Sequence, residues 1–217
     1  MKKPFLFAMI FCFSCTGASA GGRLGLGLRA GPSFYTQDVF GGTSDGSGGL
    51  KVGPIVSGNF IYRINDSFSV GLNAEWETHE IQSLGSDIGD AAAVSVIPFA
   101  EYRYLAKQIL GTGEDLFYVF LGLGYNINSY DPKGKVKGTA ESLGVSYDVE
   151  VDNTFALKVG GGVETFFTED LAFNMEFGWK LNIGDAQELV NGTEVLSGDF
   201  NGSALSVLVG LRYYFPL

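Results

Sequence analysis

Leu171-Ala172-Phe173-Asn174-Met175-Glu176-Phe177-Gly178-Trp179-Lys180-Leu181 reads with a period of two. Leu171, Phe173, Met175, Phe177, Trp179 and Leu181 share one face, while Asn174, Glu176, Gly178 and Lys180 share the other. Such alternation marks a β-strand whose two faces meet different surroundings. The apolar face has no polar interruption, and the other carries charge and glycine. A soluble sandwich hides its apolar face, whereas a strand in a membrane barrel turns it to lipid and its polar face to a lumen.

The pattern recurs outward from this segment. We expect strands at 23–35, 50–64, 68–79, 94–104, 117–126, 155–167, 171–181 and 205–215. In the first, Leu24, Leu26, Leu28, Ala30, Pro32 and Phe34 oppose Arg23, Gly25, Gly27, Arg29, Gly31 and Ser33. The fourth departs from strict alternation at Ile97 and Phe99. Each run is long enough, since about 9–11 tilted residues cross the hydrocarbon, and closing the sheet removes the unpaired edges that lipid forbids. The fold class is therefore all-β, an eight-stranded antiparallel up-and-down transmembrane β-barrel. The alternative, a soluble β-sandwich, does not explain where the aromatic residues fall.

With the first strand starting on the periplasmic side, one end of the barrel collects Phe60, Tyr62, Phe68, Tyr102, Tyr104, Phe117, Phe167, Phe173, Tyr213 and Phe215, and the other holds Phe34, Trp76, Tyr125, Phe155 and Trp179. Two aromatic girdles flanking an apolar band are the signature of outer-membrane barrels. Connections alternate in length to match. Asn65-Asp66 and Thr168-Glu169-Asp170 are tight turns, and 37–49, 81–90, 131–152 and 185–203 are long outer loops. Val145, Tyr147, Val149 and Val151 alternate in phase with Phe155 and Leu157, so the sixth strand is expected to begin near Gly144 and project beyond the membrane. Its exposed edge would offer a partner strand a place to pair.

Composition agrees. Of 217 residues, 46% are apolar and only 18% charged, which excludes a disordered chain. A net charge of −10 excludes the basic face that nucleic acid requires. Lys2 and Lys3, the apolar run from Pro4 to Cys15, and Ala18-Ser19-Ala20 match a secretory signal peptide over 1–20. Cleavage leaves 21–217 as one barrel domain. Cys12 and Cys15 leave with the leader, which excludes a disulfide scaffold and any thiolate metal site.

At this point the chain resembles the small eight-stranded outer-membrane barrels of Gram-negative bacteria: the OmpA-type transmembrane domain, OmpX and other opacity-type surface proteins, and OmpW. Leu24-Gly25-Leu26-Gly27-Leu28-Arg29-Ala30-Gly31 and Val209-Gly210-Leu211-Arg212-Tyr213-Tyr214-Phe215 carry the resemblance, with Pro216-Leu217 following. It implies an integral outer-membrane location, contact with lipid and lipopolysaccharide, assembly by the barrel-assembly machinery through the last strand, and a monomer.

The expected lumen holds Arg23, Arg29, Lys51, Arg63, Arg103, Lys158, Lys180 and Arg212 against Glu75, Glu77, Glu101, Glu164 and Glu176. Eight strands leave an interior just wide enough for side chains, which favours an ion-pair plug over a narrow polar pore. His79 is the only histidine, and Glu80-Ile81 follow it, so the hydroxyl that lipid A deacylases resemble one another in placing two residues on is missing. No catalytic, metal or cofactor site is expected. The outer loops are acidic. The role expected is non-enzymatic, structural or in surface interaction through those loops. The alternative is a small-solute or OmpW-like hydrophobic channel using Ile97, Phe99, Phe120 and Leu208, and a lipid A-modifying enzyme is the more distant one.

Overall fold

The computed structural model describes residues 23–36, 52–83, 86–106, 115–132, 138 and 142–215, and for 81–83, 86–88, 105 and 106 the backbone alone. Residues 1–20, expected to be a leader, the expected loop 37–49 and Lys51 lie outside the described residues. Eleven strands form among them: β1 (Arg23–Tyr35), β2 (Val52–Arg63), β3 (Phe68–Ser83), β4 (Ser86–Ala106), β5 (Asp115–Pro132), β6 (Tyr147–Val151), β7 (Thr154–Phe166), β8 (Leu171–Leu181), β9 (Ile183–Val190), β10 (Thr193–Asn201) and β11 (Ala204–Phe215).

Eight of them close a barrel in the order β1-β2-β3-β4-β5-β7-β8-β11, with β11 returning to β1 and every neighbour antiparallel. The alternation fixes which side chains face out. Leu28, Val119, Leu123 and Phe155 are exposed, while Arg29, Lys158, Glu164 and Arg212 on the opposite face are buried. The apolar residues thus line the outside and the charges the inside, as lipid demands. Ile97 and Phe99, out of step in composition, keep the geometric alternation and point inward at 0% and 7% exposure.

The tight turns have local causes. Asn65 Oδ1 accepts from the backbone N–H of Ser67 (2.9 Å) and Phe68 (2.8 Å), and Thr168 Oγ1 accepts from those of Asp170 (3.3 Å) and Leu171 (3.0 Å). Short polar side chains of this kind replace the ladder bonds that end at a turn. Prolines stand in the wall, and two of them mark gaps in a ladder. Pro32 and Pro98 have no N–H to donate, and the β1–β11 and β4–β5 ladders each skip residues there and resume in unchanged register. Beside the first gap, a Cβ on Gly31 would lie 1.9 Å from the Val207 carbonyl oxygen.

Three expectations for the long loops are corrected. The segment 81–90 is not a loop: β3 and β4 continue as a ladder to Ser83↔Ser86. The segment 147–151 does not continue into β7. It is the separate strand β6, paired with β9, and the barrel strand begins at Thr154. The segment 185–203 is a hairpin, β9–β10, turned by Asn191 (φ 51°) and Gly192 (φ 74°). Two successive positive φ values define the type I′ turn that matches strand twist. Strands β6, β9 and β10 form a three-stranded sheet beyond the long-loop end of the barrel.

Closure at the β1–β11 seam is open to a single change. Gly31→Val drives a side chain into the Val207 carbonyl and should cost at least about 2 kcal/mol. The variant is expected to lose the heat-modifiable gel mobility of a closed barrel. Gly58→Ala, where a Cβ meets nothing within 4 Å, should keep it.

Candidate functional site

Inward positions of the barrel strands build one continuous polar interior. At the tight-turn end Glu164 of β7 is its centre. Arg212 Nη1 pairs with Glu164, Arg103 Nη1 lies 3.3 Å from Glu164 Oε2, and the Tyr214 hydroxyl donates to Glu164 Oε2 at 2.8 Å. Arg103 Nε also pairs with Glu101 Oε1 (2.5 Å), and its Nη2 donates to the Tyr214 hydroxyl (2.7 Å). Below this group, Asp115 accepts from Thr165 Oγ1 at 2.8 Å.

In the middle Glu176 of β8 is shared by two cations. Arg29 Nη1 pairs with it, and Lys158 Nζ lies 3.0 Å from its Oε1 and 2.5 Å from Glu75 Oε1. Arg29 Nη2 donates onward to Ser57 Oγ and Asn73 Oδ1, both at 3.1 Å. The Tyr118 hydroxyl, 3.4 Å from Glu176 Oε2, accepts from Asn174 Nδ2 at 2.9 Å and so ties this layer to the lower one.

Toward the long-loop end Lys180 Nζ pairs with Glu77 Oε1 at 2.6 Å and donates to Ser95 Oγ at 2.9 Å. Ser95 donates to Asn126, Asn126 to Thr154, and Thr154 to Asn182. Arg29, Arg103, Lys158, Lys180 and Arg212 thus face Glu75, Glu77, Glu101, Glu164 and Glu176, and all ten are 3% exposed or less. Such burial is tolerable only because every charge has a counter-charge. An apolar cluster of Ile61, Phe99, Tyr118, Phe120, Ala172 and Tyr214 fills the space between them. Leu208 is fully buried as well.

Of the remaining expected charges, Arg23 and Arg63 sit at the rim. Arg23 Nη1 donates to the Glu169 carbonyl at 2.9 Å, and half-buried Arg63 lies 4.0 Å from Asp66, with its guanidinium 5.7 Å from the centre of the Tyr214 ring. Among the expected girdle residues, Phe60, Phe68, Trp76, Tyr102, Tyr104, Phe117, Tyr213 and Phe215 are exposed, and Tyr62, Phe173 and Trp179 are half-buried. Register places Tyr62 opposite Leu24, Phe68 opposite Tyr102 and Tyr104 opposite Phe117, all near the tight turns.

His79 requires a correction. A strand ending at 79 would leave it a solvated polar residue beside Glu77, but β3 runs on to Ser83 and the imidazole is 1% exposed. It stacks on Tyr35 at 3.8 Å with its Nε2 3.8 Å from Glu77 Oε2. Neither ring nitrogen has a hydrogen-bond partner among the described residues. Ser33, the nearby hydroxyl, donates to Glu77 instead. A nucleophile bonded to its base, which hydrolytic chemistry uses, is therefore not formed here. Above His79, Tyr35, Ala91 and Ala204 of the barrel meet Ala186 and Phe200 of the outer sheet.

Tyr118 and Tyr214 went unread as interior residues. Their signal was available, because each stands between two outward neighbours, Phe117 and Val119 in one case and Tyr213 and Phe215 in the other.

Removing Glu176 tests how much the shared anion matters. Glu176→Gln leaves Arg29 without its carboxylate and should destabilise the barrel by about 3–5 kcal/mol. Urea unfolding from lipid vesicles, followed by tryptophan fluorescence, reads the loss. Adding Arg29→Met should recover part of it, since the stranded charge then goes too.

No family model matches the sequence, and no curated protein matches it. Solved structures do. The chain is similar to the outer membrane protein OprG of Pseudomonas aeruginosa, with 17% identity, 93% of this chain and 99% of that chain covered, and a TM-score of 0.61. It is similar to the outer membrane protein AlkL in lipid bilayers (15%, 93% and 93%, TM-score 0.57). It is also similar to Neisserial surface protein A (15%, 92% and 100%, TM-score 0.51). At these identities the likeness is one of fold, and it is the fold of the small eight-stranded outer-membrane β-barrels.

Proposed function

We propose that this chain is a monomeric, non-enzymatic outer-membrane barrel with a closed lumen, acting at the cell surface through the parts that stand beyond the long-loop end. The observation that carries this reading is the interior: five buried cations matched by five buried carboxylates through the height of the barrel. Matched pairs hold each other in place, and an interior so filled offers no through-going path for a solute.

The inward apolar residues support the same reading. Phe99 and Phe120 meet edge to face at 6.3 Å, within one buried apolar cluster of the lumen. A hydrophobic channel would need them lining an open space. The outward belt and its aromatic rims fit lipid and lipopolysaccharide. The last barrel strand, β11, ends on the exposed pair Tyr213 and Phe215, which suits recognition by the barrel-assembly machinery.

The surface of action is then the sheet β6-β9-β10. The edge offered to partners is not that of a prolonged sixth strand, because β6 is paired with β9. It is β10, whose residues from Thr193 to Asp199 are all exposed. Asp148, Glu150, Asp185, Glu188, Glu194 and Asp199 give the three strands six carboxylates and no basic residue. Like charge keeps such edges from pairing with copies of themselves and draws cationic partners.

Replacing 183–201 by a short turn tests this. The variant should still fold, judged by heat-modifiable mobility, and surface-displayed protein should lose binding to cationic peptides. Unchanged binding by the folded variant would contradict the assignment.

A further inference from the structure

Strand β7 carries three successive glycines, Gly160-Gly161-Gly162. Alternation with outward Val159 and Val163 turns Gly161 to the outside. Its cross-strand neighbours are Val119 on β5 and Phe177 on β8, exposed by 61% and 55%. The next row toward the tight turns, Phe117, Val163 and Met175, bears side chains throughout. Gly161 therefore leaves a hollow in the apolar wall between Val119 and Phe177.

The hollow is a groove of about 660 Å³, bordered by Tyr104, Phe117, Val119, Met175, Phe177 and Val207. That lies within the roughly 300–1,000 Å³ of ordinary ligand pockets. Tyr118 and Glu176 reach its floor, but their polar atoms belong to the lumen network. At the tight-turn end Tyr102 and Tyr104 also border it, 47% and 66% exposed. One end of the groove is thus phenolic and the rest is hydrocarbon.

We propose that this groove is a lipid site. It seats one acyl chain of a phospholipid from the periplasmic leaflet, with the lipid's glycerol and phosphate oxygens meeting the hydroxyls of Tyr102 and Tyr104. The inference rests on the membrane reading above. Its depth argues for the occupant: the groove starts at the aromatic rim of the tight-turn end and runs into the apolar band, so hydrocarbon chains are what surround it. Its polarity argues likewise. Headgroup oxygens meet phenols at the rim, where amphipathic rings are favoured, and methylenes meet Val119, Met175 and Phe177. An unfilled hollow forfeits dispersion contacts along its whole lining. A second copy of the barrel would need a side chain standing out from its own wall to fill the groove.

Gly161 cannot itself be the probe, because a Cβ there would sit 2.8 Å from the Tyr118 carbonyl oxygen. Filling from the sides avoids this. The mature chain is refolded into vesicles of phosphatidylethanolamine and phosphatidylglycerol, extracted in mild detergent and weighed by native mass spectrometry. The folded wild type should retain one phospholipid. Val119→Trp and, independently, Val163→Phe should lower retention about tenfold with unchanged heat-modifiable mobility. Leu123→Trp, exposed but not bordering the groove, should leave it unchanged. Folded wild type that retains no lipid, or equal retention in both groove-filling variants, would overturn the proposal. Retained mass equal to a second chain, lost in Val119→Trp, would overturn it in favour of a dimer contact. Failure of the wild type to enter vesicles at all would instead overturn the membrane reading on which the proposal rests.

Discussion

Five buried carboxylates pair with five basic side chains in an interior that eight strands make barely wide enough for them, beside a sixth buried acid, Asp115, and each of the ten must reach its counter-charge for the ring to close. Most other features answer to that constraint. Most pairs join different strands: Arg29 on β1 to Glu176 on β8, and Lys158 on β7 to Glu75 on β3. These tie one strand to another, while Arg103 and Glu101 pair along β4. A register slip of one residue in any strand would carry its charges into the lipid face, so pairing inside and apolar display outside specify the same register. The network and the membrane belt are two consequences of one alternation.

The wall is less uniform than its lining. Pro32 and Pro98 interrupt the ladder without shifting it, and β7 thins at its glycines. Beyond the long-loop end, Phe200 and Ala186 descend from the outer sheet onto Tyr35 and Ala91. The outer sheet is therefore tied to the barrel by apolar contact. Its acids face solvent, while the acids of the lumen are neutralised. The two sets of carboxylates serve different ends: one joins strands, and the other sets the charge of the surface.

The barrel strands were legible because one of their faces meets lipid. In β8 every outward residue from Leu171 to Leu181 is apolar, and the period of two stands out. That contrast is missing from 81–90 and from β9 and β10, which read as loops because they are rich in glycine and acid. Asn191-Gly192 carried the missing information, since that dipeptide suits the two positive φ values of a tight hairpin turn. The inward charges were legible one by one, but their partners were not. Whether Glu75 or Glu77 meets Lys158 depends on strand register and side-chain reach, which one strand's pattern does not contain. His79 misled for the same reason: its burial comes from Tyr35, a neighbour on another strand.

The central claim is that ion pairs close the lumen. Conductance of the refolded chain in a planar bilayer tests it most directly. The account predicts no discrete openings from barrels whose folding is verified by heat-modifiable mobility. Reproducible unitary steps from the wild type would contradict it.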